Sequence, residues 1–397
     1  MLVALMDNGE MISLGREYSK KELEGLRMAH AFFCPSCREK VHLKLGEVRI
    51  PHFAHQLNAN CDAFSDQESM YHLNGKLQLF QWLKKQQYQP ILEPYFQELK
   101  QRPDICFEEQ STKNVIEYQC SSISASLFKT RSHGYIKHGI CPLWILGGKR
   151  IKRLSKDIYK LSLMDWLAAS FIHNSPAIMY YCSDTKQFVI LQNIIPLSTN
   201  RIFASTKTFP LSQTSIKNLV SPQPNNLEAF LPCWIQMKQK WRVTCTQYPS
   251  TSMKKLLSLY YSKNVYPSLL PPEIGIPLPS MYWIHTSPMV WQSWILLDFI
   301  LSFPLHQTFS LQNVYNYFNK KIKMSLFSVR ELPLVHQTDY TFAIKEYIHQ
   351  LCSIGTLQRV GQHHYHRVQC MVYPSSLEEA FHRDRLLLHF LTRKVNA

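Results

Sequence analysis

The feature that most restricts the fold lies between residues 90 and 146, where runs of strand length and one of helix length follow each other closely. Pro90 to Phe96, Arg102 to Phe107 and Asn114 to Cys120 read as strands, Ile123 to about His138 as a helix, and Pro142 to Leu146 as a further strand. Ahead of them Leu73, Leu77, Phe80, Trp82 and Leu83 recur at helical spacing behind Ser65-Asp66-Gln67-Glu68, which has the form of a capping box. The order is α-β-β-β-α-β. Strand side chains alternate, so Glu117 and Gln119 project on one face, Ile116, Tyr118 and Cys120 on the other, with Asp104 on the neighbouring strand within reach of Glu117. Two carboxylates pressed together on a mostly apolar sheet repel each other unless a cation lies between them. Such oxygen ligands suit Mg²⁺ or Mn²⁺, which orient a water for attack on a phosphodiester and stabilise the leaving oxygen. The plainer alternative makes Asp104 a solvated acid beside a turn and Glu117 an edge-strand charge.

This element order, with Pro103-Asp104 on one strand and Glu117-Tyr118-Gln119 on the next, resembles the PD-(D/E)XK nuclease superfamily. The resemblance implies a metal-dependent deoxyribonuclease in which Asp104 and Glu117 hold the ion and Gln119 positions the water or the scissile phosphate. Gln119 stands where the superfamily usually carries lysine, and an amide can hydrogen-bond but brings no charge. That substitution keeps a non-catalytic DNA-binding adaptor open as the second reading. Glu68 is the implied third acid, and it shares an i, i+4, i+8 stripe with His72 and Lys76. It serves equally well to close the capping box with Ser65. Glu93 is a substitute for it, and Arg131 and Tyr135 on the second helix are placed to face phosphate.

The first 62 residues form a unit of their own. Leu2 to Met6 and Met11 to Leu14 flank an Asn8-Gly9 turn, a short polar helix covers Lys20 to His30, and a second hairpin runs across Val41 to Gly46 and Val48 to Ile50. Cys34 and Cys37 are spaced to aim two thiolates at one ion, and His52 and His55 follow one hairpin later, so a tetrahedral zinc site is expected, with Cys61 or His42 able to replace one imidazole. A unit this small commonly needs such support.

Together Phe33-Cys34-Pro35-Ser36-Cys37, Pro51-His52-Phe53-Ala54-His55, Glu68-Ser69 with His72, and Arg102-Pro103-Asp104 with Glu117 to Ser124 closely resemble the competence protein CoiA family of Gram-positive bacteria, over roughly residues 1 to 150. That likeness implies a role in natural transformation, on incoming DNA or on recombination intermediates, with DNA, single-stranded or branched, and recombination proteins as partners. It implies no small-molecule substrate.

Charge agrees with a polyanionic partner. Lys and Arg total 44 against 28 acids, a net +16, and only 11 of those acids lie from Asp165 onward. The expected architecture is therefore a multi-domain α/β protein: a β-rich zinc-finger-like module at 1–62, a PD-(D/E)XK-like αβββαβ domain at 63–160, and a basic, mainly α-helical domain at 161–397. Within the last, helical runs at Val290 to Leu301, Leu311 to Lys320 and Tyr340 to Ile354 precede a hairpin around Gly361, the element order of a winged helix. His363, His364 and His366 on that hairpin lack the cysteines or acids of a metal site. The longest apolar stretch, Trp294 to Leu305, is too short for a bilayer span, and the first ten residues lack the pattern of a signal peptide, so a cytoplasmic location is expected.

Overall fold

The computed structural model describes residues 1–47, 49–56, 61, 68–173, 175–224, 226–335 and 338–395. Strands β1 (Val3–Met6) and β2 (Met11–Ser13) form the expected hairpin, and Gly9 takes φ +85° in its turn, a conformation that costs glycine little. Helix α1 (Lys20–Ala29) begins at Ser19, whose hydroxyl accepts the Glu22 N–H while the Glu22 carboxylate accepts the Ser19 N–H. With β3 (Phe32–Phe33), β4 (Lys40–Lys44) and β5 (His52–His55) the module closes as an antiparallel sheet in the order β2-β1-β3-β4-β5. The strand paired with β4 is thus β5, not residues 48–50; Val48 lies outside the described residues. Phe53 explains the choice: it sits opposite Leu43 and is buried with it, whereas Arg49 is exposed.

The central domain is built from α2 (Met70–Lys85), β6 (Ile91–Leu92), β7 (Ile105–Glu109), β8 (Thr112–Gln119), α3 (Ala125–Lys137) and β9 (Cys141–Gly147). β6, β7 and β8 form an antiparallel meander, and α3 carries the chain across to β9, parallel to β8. Ser69 caps α2 by accepting the His72 N–H, which leaves Glu68 outside the helix. The capping box expected at Ser65 falls in part outside the described residues. The strand expected from Pro90 to Phe96 shrinks to two residues because Glu93 adopts φ +48° and turns its carboxylate inward. α2 covers one sheet face, with Gly75 so close to Tyr118 that a β-carbon there would lie 2.2 Å from the ring. α3 covers the other, where the Phe128 and Trp144 rings approach to 4.1 Å and Trp144 donates its indole N–H to Ser132 (3.1 Å).

The sheet does not end at residue 160. After β10 (Arg153–Ser155), β11 (Ile158–Lys160), the short helix α4 (Leu163–Leu167) and β12 (Ser170–Ile172), three long strands follow, β13 (Ser175–Cys182), β14 (Gln187–Pro196) and β15 (Arg201–Pro210). They extend the central sheet to β10-β11-β15-β14-β13-β9-β8-β7-β6, with β13 parallel to β9. A mainly helical chain from 161 onward is therefore not what forms. Residues Pro176 to Tyr181 are buried on both faces, and such a strand shows an unbroken apolar run without alternation.

Helical structure takes over with α5 (Ile216–Leu219), α6 (Leu227–Thr244), α7 (Thr251–Ser262) and α8 (Pro288–Ser293), the last continuing through turns as far as Ser302. Strand β16 (Thr308–Ser310), α9 (Leu311–Lys323), α10 (Tyr340–Ser353), β17 (Leu357–Arg359), β18 (His364–Arg367) and α11 (Leu377–Val395) complete the chain. Asp384 of α11 is buried between Lys238 (2.9 Å) and Arg242 (2.8 Å) of α6, which fastens the last helix to the domain. Among the described residues no helix is long and apolar enough to cross a membrane.

Substituting Gly75→Ala drives a methyl group into the Tyr118 ring in the middle of the central domain. The better helix propensity of alanine offsets only part of an overpacking cost of about 1–3 kcal/mol, so a lower urea and thermal midpoint is expected on measuring unfolding by circular dichroism.

Candidate functional site

Lys76 lies on the inner face of α2, its side chain almost wholly buried. Its ammonium group contacts Glu68 Oε1, Glu93 Oε1 at 2.7 Å and Asp104 Oδ1 at 3.0 Å. Each acid comes from a different place: Glu68 just before α2, Glu93 just after β6, Asp104 just before β7. The sequence stripe Glu68–His72–Lys76 does meet at one point. His72 Nε2 lies 3.3 Å from Asp104 Oδ2 and its Nδ1 3.4 Å from Glu68 Oε1. Asp104 Oδ2 also accepts the Tyr118 N–H (2.8 Å), which fixes the acid to β8, and both Glu93 oxygens accept the Leu2 N–H (3.0 and 3.1 Å).

Burial alone raises the pKa of Asp104 and of Glu68. For Asp104 and Glu68 the neighbouring charge of Lys76, supported by His72, overrides that effect and holds both carboxyls well below the usual carboxylate range. Burial likewise pulls Lys76 down, but Asp104, Glu68 and Glu93 together hold it well above an ordinary lysine. Glu68, Asp104 and Lys76 are therefore charged at neutral pH.

Glu117 has other partners. Its Oε1 accepts from Arg131 Nη2 and from the Tyr135 hydroxyl, both at 2.5 Å, and both donors belong to α3. Burial pushes its carboxyl up, against the pull of Arg131, and Asp104 adds to the upward shift. Asp104 and Glu117 are thus neighbours engaged by different helices: α2 supplies the cation for one and α3 for the other. Arg131 and Tyr135, expected to face phosphate, are instead occupied by Glu117. Gln119 ends β8 with its amide donating to Ser121 O (3.1 Å) and Ser121 Oγ (3.2 Å).

Ligand atoms of Glu68, His72 and Asp104 lie within 4.8 Å of one another. So do those of Cys34, Cys37, His55 and Cys61 in the N-terminal module. Cys34 and Cys37 sit on the turn between β3 and β4, closed by Arg38 N–H to Cys34 O (2.9 Å) with Arg38 at φ +62°. His55 Nε2 is 3.3 Å from Cys37 Sγ, and Cys61 Sγ is 4.0 Å from Cys34 Sγ. Burial dominates at Cys37, whose thiol is pushed up; at Cys34 it is outweighed by the Cys37 and Ser36 N–H groups and Arg102, and the thiol is lowered. His52 is not part of this group. Strand alternation would send it with Ala54, and its Nδ1 bonds the carbonyl of Ile50 (2.9 Å). His42 likewise lies elsewhere, within 3.2 Å of Gln56. Cys61, the alternative in the sequence, supplies the fourth position.

With Lys76 in place the pH dependence has a definite sign. Glu68 and Asp104 have folded pKa values below their unfolded ones, so their stabilisation is present above about pH 4–4.5 and is lost as pH falls through the folded values. In Lys76→Met the largest charge opposing burial is gone, only His72 and, at Glu68, the Met1 ammonium still oppose it, and the sign reverses. That variant is expected to lose about 3–5 kcal/mol at pH 7 and, on acidification from pH 7 to about 5, to regain stability relative to the wild type. Thermal midpoints across pH measure both slopes.

Residues 15–64, 68–224 and 231–381 match the families described as competence protein CoiA N-terminal domain, nuclease-like domain and C-terminal domain. The chain is 32% identical over 363 residues to competence protein CoiA of Bacillus subtilis (strain 168), covering 89% of this chain and 94% of that protein. No solved structure matches it significantly. With three successive domains matched in order and a relative aligned over nearly its whole length, the chain belongs to the competence protein CoiA family.

Proposed function

We propose that this protein processes DNA during natural transformation, cleaving phosphodiesters in incoming strands or recombination intermediates with a divalent cation held at Asp104. The observation that carries the reading is the imbalance of charge around that residue. Glu68, Glu93 and Asp104 converge on the buried Lys76, and the Met1 ammonium, 2.7 Å from Glu68 Oε2, is the second cation, so the acids still outnumber these cations by one, and the oxygen and imidazole donors suit Mg²⁺ or Mn²⁺. Asp104, Glu68 and His72 would hold the ion, with Glu117 presented to it from β8. When bound, such an ion orients water and stabilises the leaving oxygen. Lys76 supplies the fixed positive charge that Gln119 lacks, and Gln119, tied to Ser121, orients water or phosphate by hydrogen bonding.

Two further features support DNA as partner. The last third places α8 with its continuation, β16, α9, α10, β17 and β18 in winged-helix order, with a three-stranded sheet β16-β18-β17. Its turn is flanked by exposed Arg359 and His364, and α9 ends in exposed Lys320 and Lys323, as expected for a phosphate-facing surface. The N-terminal Cys34, Cys37, His55 and Cys61 form a three-thiol, one-imidazole set appropriate to a structural Zn²⁺. We place the protein in the cytoplasm, with recombination proteins as further partners.

One observation favours the second reading, a DNA-binding adaptor without hydrolysis: the ammonium of Lys76 already occupies the space between the acids. Purified protein incubated with Mg²⁺ or Mn²⁺ on single-stranded, duplex and branched DNA decides between them. Cleavage is expected in the wild type and a loss of at least 100-fold in the Asp104→Ala, Glu117→Ala double variant, with binding retained. Equal cleavage by both proteins excludes the assignment, and binding without cleavage by the wild type selects the adaptor. For zinc, about one ion per chain is expected by elemental analysis, lost in Cys61→Ser and kept in His52→Asn.

A further inference from the structure

Beyond the end of β8 and β9 the structure has a cavity of about 700 Å³ between the central sheet and the helical domain. Arg150, which follows β9, and Arg330, which follows α9, both line it. Arg330 is only 7% exposed, stacks on Trp166 at 4.2 Å, and points its Nη groups at the carbonyls of Tyr282 (2.9 Å), Ile284 (2.6 Å) and Thr199 (3.2 Å). Its Nε is buried with no hydrogen-bond partner, and among the described residues no carboxylate lies within ion-pair distance of it. Arg150 repeats the pattern: Nη1 donates to Ser122 Oγ (3.1 Å) while Nε is buried and unpartnered. Lys152 and Lys160 stand exposed at the rim.

The acids that line the cavity form no ion pair with these arginines. Asp165 is taken by the Ser162 N–H and hydroxyl and by the Tyr180 hydroxyl, and Glu331 by Lys129. Burial pushes the Arg330 pKa down to about 9, so the guanidinium is a cation at neutral pH whose lost hydration no acid compensates. Two arginines without an acidic partner and two lysines lining one cavity are complementary to a tetrahedral oxyanion. The cavity is linked to the end of β8, the strand of Glu117: Ser121 holds Gln119, and the next residue, Ser122, holds Arg150.

We propose that this cavity receives a phosphate of a DNA strand, through Arg150 and Arg330 with Lys152 and Lys160 at its mouth, and so sets where the strand enters the nuclease-like site. The proposal rests on DNA as the ligand but not on its cleavage. Whether the phosphate is terminal or internal is an outcome of the test.

Binding of short single-stranded oligonucleotides to the full chain is measured by isothermal calorimetry in EDTA, with 5′-phosphate and 5′-hydroxyl forms compared over a salt series. The Arg150→Gln, Lys160→Gln double variant, both of whose sites lie outside the packed core, is expected to bind about tenfold more weakly and with a shallower salt dependence. Arg330→Lys, which keeps the charge but not the fork, is expected to weaken binding further if it folds. A preference for the 5′-phosphate identifies a terminal group, and equal loss for both forms identifies a backbone phosphate. Wild-type binding that the double variant leaves within twofold, with the same salt slope, overturns the cavity while leaving DNA as the partner. No binding of any oligonucleotide overturns both.

Discussion

The buried ammonium of Lys76 is the contact on which the arrangement of the first half of the chain depends. It draws together the residue before α2, the residue after β6 and the residue before β7. Through Glu93 it also reaches the N-terminal module, since that carboxylate accepts the Leu2 N–H at the start of the first sheet. Taking a lysine and three acids out of water is expensive, and only mutual pairing makes the burial tolerable. Apolar side chains of the same volume would pack as well and cost less. A network retained in this form is therefore better explained by what charge can do there than by stability.

The same network accounts for local irregularities in the backbone. Glu93 at φ +48° interrupts what would otherwise be a longer edge strand, and the turn is what carries its carboxylate to Lys76. Gly75, one residue before Lys76, lets α2 press against Tyr118, whose N–H holds Asp104. Helix placement, strand length and acid position are thus settled by one cluster of contacts.

How much of this was legible in the sequence differs by element. The α-β-β-β-α-β order was readable because each segment had either clear helical spacing or a bounded strand run, and Glu117 and Tyr118 do face α3 and α2 respectively, as alternation required. The partners of the two acids were not readable: a strand pattern places Asp104 beside Glu117 but is silent on which helix reaches each first. Lys76 was visible only as a member of the Glu68–His72 stripe, and nothing in spacing marks a lysine as buried. Strand β13 was hidden because burial on both faces removes the alternation that identifies a strand. His52 and His55 look equivalent in sequence, yet alternation along β5 and the coiled segment before it give one to Ile50 and the other to the cysteines.

The continuity of the sheet gives these pieces a common geometry. Because β13 pairs with β9, the strands after residue 170 extend the same surface that ends in Glu117 and Gln119, rather than forming a separate body. The helical domain then closes over that extension through Arg330, which bonds Thr199 from the β14–β15 connection and stacks on Trp166 beside it. A strand of DNA bound by the last third of the chain would consequently reach the central acids across a surface already joined by backbone hydrogen bonds and one buried guanidinium. On this view the net positive charge of the chain has a direction: cations without acidic partners line the cavity beside the sheet, and around Asp104 the acids outnumber the cations, so the field changes sign where a divalent ion would sit.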